Sequence, residues 1–161
     1  LEGWVLATEG STQTANEVGL DAAGPAQPDA CIQLVYVPDV EMVEPIGGGR
    51  CGVYRLVLDG VDVGAVSLVG LTRCHGEIGY EIDPGYQGRG LATFALKRVV
   101  ATVQPDHGFT LLTARAMIDN LASIRVLEKA GFTRASAKLC CIDGFDEPVG
   151  IVTYRRETGF P

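Results

Sequence analysis

The segment Asp83-Pro84-Gly85-Tyr86-Gln87-Gly88-Arg89-Gly90-Leu91-Ala92 combines residue types whose spacing suggests chemistry. Gly85, Gly88 and Gly90 let the backbone come close to a ligand. A helical pattern starts directly after them. A helix start leaves four N–H groups without intrahelical partners and carries the positive end of the dipole, so the segment reads as an anion site suited to a diphosphate. It is not the phosphate loop of nucleotide hydrolases, because Gly90 is followed by Leu91-Ala92 and not by Lys-Ser or Lys-Thr. A separate GxGxxG at Gly47, Gly49 and Gly52 leads into a strand instead of opening a helix, and so fails the context of a dinucleotide fingerprint.

Other candidates flank this loop. Glu77, Glu81 and, less directly, His75 precede it, and Asp119, Asn120 and Ser123 follow it. Carboxylates and imidazole handle protons. Asn120, taken alone, is a helix cap worth about 1 kcal/mol. Arg73 and Arg115 could meet an acidic ligand, although a lone Arg commonly serves a surface ion pair.

These groups need elements to place them. Residues 8–30, rich in Thr, Ala, Gly, Pro, Asn and Gln, read as a loose arm with a short helix over 15–23. Residues 31–37 form a strand stopped by Pro38, and Gly47-Gly48-Gly49 marks a turn. Residues 53–58 and 61–68 flank Asp59-Gly60, a strong hairpin signal. Ile78, Tyr80 and Ile82 alternate with Glu77, Gly79 and Glu81 in one more strand, ended by Asp83-Pro84-Gly85. The period then changes. Leu91, Ala95, Val99 and Val103 predict an amphipathic helix over 89–103, closed by Pro105 and Gly108. A strand over 110–117, a short helix over 120–130 capped by Gly131, and strands over 132–142 and 149–155 complete the chain. The order indicates a single α/β (α+β) domain over 31–161, with a mixed, mostly antiparallel sheet flanked by helices and preceded by a poorly defined arm over 1–30.

Gln87-Gly88-Arg89-Gly90-Leu91-Ala92 resembles the Gln/Arg-x-x-Gly-x-Gly/Ala signature of the GCN5-related N-acetyltransferases. Downstream, Asn120-Leu121-Ala122-Ser123 through Lys129-Ala130-Gly131-Phe132 is similar to that family's Asn-x-x-Ser helix ending in Lys-x-Gly-Phe, most of all in the branch that includes the ribosomal-protein N-terminal acetyltransferases. The resemblance covers residues 52–135, and residues 1–50 match poorly. It implies acetyl-CoA as cosubstrate and direct transfer to an amine in a ternary complex. It also implies that the amides of Gln87, Gly88, Arg89, Gly90, Leu91 and Ala92 hold the pyrophosphate. The backbone of Tyr80, Glu81 and Ile82 would pair with the pantetheine arm, Asn120 would hold its other side, and Ser123 would protonate the leaving thiolate. Many members carry Tyr as general acid seven residues after this Asn, where this chain has Leu127. Either Ser123 takes that task or the thiolate leaves unassisted, which a thiol pKa of about 8.5 tolerates. Glu81 is the carboxylate nearest the expected thioester and faces the acceptor or solvent. The cleft is expected where strands 76–83 and 110–117 diverge. The short span between Val37 and Val53 suggests a reduced or displaced helical cap and an open acceptor groove.

Composition bounds the partners. The chain has 161 residues, 47% hydrophobic and 20% charged, which supports one folded core. Thirteen Lys and Arg against twenty Asp and Glu leave a formal charge of -7, which argues against nucleic acid and favours a cationic amine. The acceptor is thus expected to be a small molecule, or else a peptide N-terminus. A CoA-binding sensor without catalysis is the alternative from another class. No membrane span or leader is visible, which points to the cytoplasm. Cys31, Cys51, Cys74, Cys140 and Cys141 form no CxxC pair, so they read as buried reduced thiols, with no metal site. The final strands offer an exposed edge, compatible with a monomer or homodimer.

Overall fold

Runs of branched apolar residues at alternate positions build β1 (Ile32–Pro38), β2 (Gly52–Leu58), β3 (Val61–Gly70) and β4 (His75–Ile82). The computed structural model describes residues 31–38 and 52–158, so the expected arm, its short helix and the Gly47–Gly49 turn lie outside the described residues. Asp59 and Gly60 turn β2 into β3 with φ of 51° and 81°, the turn hand that matches strand twist. A short 3₁₀ turn at Pro84–Tyr86 follows β4. The chain continues through α1 (Leu91–His107), β5 (Leu111–Met117), α2 (Leu121–Lys129), β6 (Thr133–Cys140) and β7 (Val149–Glu157).

The seven strands form one mixed sheet in the order β1-β2-β3-β4-β5-β7-β6. Every neighbouring pair is antiparallel except β4 and β5, which run parallel. This is the expected α/β domain. Strand alternation puts Leu56, Val66, Leu68, Ile78, Leu112, Ala114 and Val152 on one face. There they meet Leu91, Ala95, Leu96, Val99 and Val103 of α1, and Leu127 of α2. Leu56, Leu68, Ile78, Leu96, Leu112 and Leu127 are all fully buried, and each such side chain contributes about 1.5–3 kcal/mol. α1 packs on β3, β4 and α2, and α2 also packs on β5.

Three expectations are corrected. α1 begins at Leu91, not Arg89, because Gly88 and Gly90 hold positive φ. It also runs past Pro105 to His107 and ends at Gly108, since a proline in the last turn forfeits only one amide bond. Of the described cysteines, Cys31, Cys74 and Cys141 are exposed and Cys140 is half-buried, not buried as expected. They sit just before β1, in the turn before β4 and at the end of edge strand β6, places that the described residues leave open or only half covered. Among the described residues no helix is long and apolar enough to cross a membrane.

Candidate functional site

β4 and β5 pair only from His75 opposite Leu111 to Glu77 opposite Thr113, and then part. The divergence of these strands therefore lies where the sequence suggested. Which backbone groups it releases follows from the β3 side. Asp83 donates its N–H to the Val63 carbonyl at 2.9 Å, one step beyond the Gly64–Ile82 pair. Bonding residues alternate along an antiparallel ladder. Glu77, Gly79 and Glu81 thus turn their N–H and C=O groups to β3, whereas Ile78, Tyr80 and Ile82 turn theirs toward β5. From Tyr80 onward the β5 ladder no longer meets them. The Ile82 carbonyl instead accepts from the Gln87 side-chain amide at 2.8 Å.

The loop after β4 crosses the end of this gap. Gly88 and Gly90 adopt φ of 74° and 79°, a region that glycine enters without Cβ strain. The first helical bond of α1 runs from Phe94 N–H to the Gly90 carbonyl at 3.0 Å. The amides of Leu91, Ala92 and Thr93 therefore lack intrahelical acceptors. No acidic residue stands in the first turn of α1, so nothing there neutralises the dipole.

α2 forms the facing wall. Asn120 caps it, its side-chain oxygen accepting from Ser123 N–H at 3.0 Å. The Tyr80 hydroxyl donates to the Ser123 carbonyl at 2.9 Å, tying β4 to the first turn of α2. Burial pushes the Tyr80 phenol above its ordinary value. Ser123 is thus held through both backbone groups, while its hydroxyl has no partner among the described residues. At the far end of α2, Tyr154 donates to Glu128 at 2.9 Å, and Arg156 donates to the Ala130 carbonyl.

Between these walls lies a cleft of about 470 Å³, within the range of small-molecule sites. Tyr80, Glu81 and Ile82 line it from β4, Gln87, Gly88, Gly90, Leu91 and Ala92 from the loop and α1, and Asn120 and Ser123 from α2. Arg89 does not line it. Its guanidinium donates back to the Gly85 carbonyl at 3.1 Å and stacks over the Tyr86 ring at 5.1 Å, so its side chain stiffens the loop from outside. Leu127 is 1% exposed in the core and puts no group into the cleft.

Of the other candidates, Glu77 and His75 are engaged elsewhere. Glu77 accepts from Arg115 Nε at 3.1 Å and Nη2 at 2.6 Å. His75 is half-buried and lies 3.0 Å from the Thr113 hydroxyl, because the paired stretch of β4 and β5 brings the two side by side. Glu81 is exposed at the cleft with no partner among the described residues. Sequence reasoning missed the Tyr80 hydroxyl, Arg125 and Lys129. The last two could have been found as members of an i, i+3, i+7 stripe with Ala122 on one face of α2.

Known proteins are similar to this chain in sequence or in fold. The probable N-acetyltransferase YjcK of Bacillus subtilis (strain 168) is 38% identical over 73 residues, covering 44% of this chain and 40% of that protein. Among solved structures, yncA of Salmonella typhimurium, a putative acetyltransferase with its cofactor acetyl-CoA, superposes with a TM-score of 0.61. It is 22% identical over 68% of this chain and 65% of that one. RimL, a ribosomal L7/L12 α-N-protein acetyltransferase in complex with coenzyme A, gives a TM-score of 0.60. It is 19% identical over 66% and 62% of the two chains. The chain thus spans less than two thirds of the length of these relatives. A family model described as an acetyltransferase (GNAT) domain matches residues 46–133, more than half of the sequence. The chain belongs to the GNAT acetyltransferase family.

Proposed function

We propose that this protein is an acetyl-CoA-dependent N-acetyltransferase acting on a primary amine, with a cationic small molecule as acceptor. The observation that carries the reading is the β4 edge, open from Tyr80 onward, beside an α1 start with no acidic residue in its first turn. An extended amide-bearing arm fits the first, and a diphosphate fits the second. Acetyl-CoA carries both, and supplies an acetyl thioester for attack by the amine in a ternary complex. Gln87, Gly88, Arg89, Gly90, Leu91 and Ala92 would hold the diphosphate by their amides. Tyr80, Glu81, Ile82 and Asn120 would flank the pantetheine arm.

Much of the rate would come from holding amine and thioester together, which is worth several kcal/mol in well-oriented systems. Ser123 relays a proton to the departing thiolate and recovers one from the attacking nitrogen, because its hydroxyl has no partner among the described residues while its backbone is locked. Glu81 takes a proton from the incoming ammonium group, directly or through water. The other two carboxyl and imidazole candidates of β4 are engaged, Glu77 with Arg115 and His75 with Thr113. The preference for a cationic acceptor rests on exposed Glu81 at the cleft and the formal charge of -7. Similarity to RimL favours a second reading, in which a peptide N-terminus is the acceptor within the ribosomal-protein branch.

Thiol release from acetyl-CoA, measured against cationic, neutral and acidic amines and N-terminal peptides, tests both. The expected result is fastest release with a cationic small amine, and a turnover loss of about tenfold or more in Ser123→Ala and Glu81→Gln. Fastest release with a peptide moves the assignment to the second reading. Binding of acetyl-CoA with no release across the panel overturns both and leaves a sensor.

A further inference from the structure

The charged residues of the cleft are Glu81, Arg125 and Lys129. The two cations stand four residues apart on α2, so they are neighbours on one helix face, about 6 Å apart. Like charges at this spacing cost an isolated helix a few tenths of a kcal/mol. Neither has an acidic partner among the described residues, where the ion pairs are Arg55 with Asp62 and Arg115 with Glu77. Glu128, on the same helix, is engaged by Tyr154 instead. In a chain of formal charge -7, two unneutralised cations facing one cleft call for an anion.

Their position separates that anion from the diphosphate. Ser123 marks the end of α2 tied to β4 through Tyr80. At 1.5 Å per residue, Arg125 lies about 3 Å and Lys129 about 9 Å farther along the helix axis. The amides suited to a diphosphate belong to the opposite wall, at the start of α1. A ligand reacting near Ser123 and anchored by a diphosphate on α1 must therefore carry a further anionic group to use Arg125 and Lys129. Acetyl-CoA has one such group, the phosphate monoester on the 3′-oxygen of its ribose.

We propose that Arg125 and Lys129 bind this 3′-phosphate and make the protein select acetyl-CoA over its 3′-dephospho form. The proposal rests on the acetyl-CoA reading above. Arg supplies a planar fork for two phosphate oxygens and Lys a mobile point charge, so the pair tolerates a ribose of variable pucker. Both side chains belong to exposed residues, so the selectivity is moderate and sensitive to salt.

Calorimetric titration of the full chain with CoA and with 3′-dephospho-CoA, at about 0.1 M ionic strength, reads the selectivity as a ratio of affinities. The expected ratio is about tenfold in favour of CoA, falling to within about twofold of unity in the Arg125→Gln/Lys129→Gln double variant. Arg125→Lys and Lys129→Arg keep most of it. A wild-type ratio near one overturns the proposal while leaving the acetyl-CoA reading intact. An unchanged ratio in the double variant also overturns it, as does equal weakening of both ligands, which would put these cations on the diphosphate. Failure of the folded protein to bind either ligand overturns the acetyl-CoA reading itself.

Discussion

Alanine at each glycine of the loop between β4 and α1 separates backbone conformation from side-chain space. A Cβ added at Gly85, Gly88 or Gly90 meets nothing within 4 Å among the described residues, so steric clash with them is equally absent at all three. Only Gly88 and Gly90 hold positive φ, at 74° and 79°. An L-residue in that region costs about 1–2 kcal/mol, whereas Gly85→Ala loses nothing there and gains about 0.4–1 kcal/mol by restricting the unfolded chain. In Gly90→Ala the cost has two places to appear. If the loop keeps its shape, the protein is less stable. If the loop relaxes, stability is spared and ligand affinity falls, because the amides must return to their bound geometry. Urea unfolding and calorimetric titration with acetyl-CoA on the same variant therefore give losses that together reach about 1–2 kcal/mol, equivalent to about 5–30-fold in affinity if all of it falls on binding. Gly85→Ala should bind as tightly as wild type and unfold at equal or higher urea. Wild-type stability and wild-type affinity in Gly90→Ala would refute the reasoning, as would a binding loss in Gly85→Ala equal to that in Gly90→Ala.

Three further outcomes are expected. Asn120→Ala removes the cap on Ser123 N–H and should cost about 1 kcal/mol in urea unfolding, while Asn120→Ser should retain most of it. Burial holds the Tyr80 and Tyr154 phenols above the ordinary value of 10.0, with Glu128 adding to the effect at Tyr154. The folded protein then keeps protons that the unfolded chain loses, so this stability is full below about pH 10 and is lost as pH rises through the folded values. Unfolding measured from about pH 8 to pH 11 should fall more steeply in wild type than in Tyr80→Phe/Tyr154→Phe. Arg115→Ala breaks its contact with Glu77, but the arginine side chain is 61% exposed, so the loss in unfolding free energy should stay within about 1 kcal/mol.

Much of the scaffold was legible because its signals are local. The alternation of Ile78, Tyr80 and Ile82, the stripe from Leu91 to Val103 and the Asp59-Gly60 turn each report a backbone period or a φ requirement set by neighbouring residues. Gly88 and Gly90 announced both the loop and the helix start, and the Asn120 cap sits three residues before the amide it satisfies. Local reading misplaced the end of α1, where one proline did not stop the helix, and it took surface cysteines for core.

Tertiary structure alone decided which of those groups share a cleft. That Tyr80 turns its backbone toward β5 while Glu81 does not depends on the β3–β4 register, and that those groups are left unpaired depends on where the β4–β5 ladder ends, both contacts between segments apart in sequence. The same is true of the Tyr80 hydroxyl reaching Ser123, 43 residues on, and of Glu77 meeting Arg115, which leaves Glu81 as the carboxylate at the cleft without a cationic partner among the described residues. Residue type and spacing determine what a side chain can do with a proton or a phosphate. Pairing register and strand divergence decide whether it is left free to do so, because both are fixed by packing across the whole sheet.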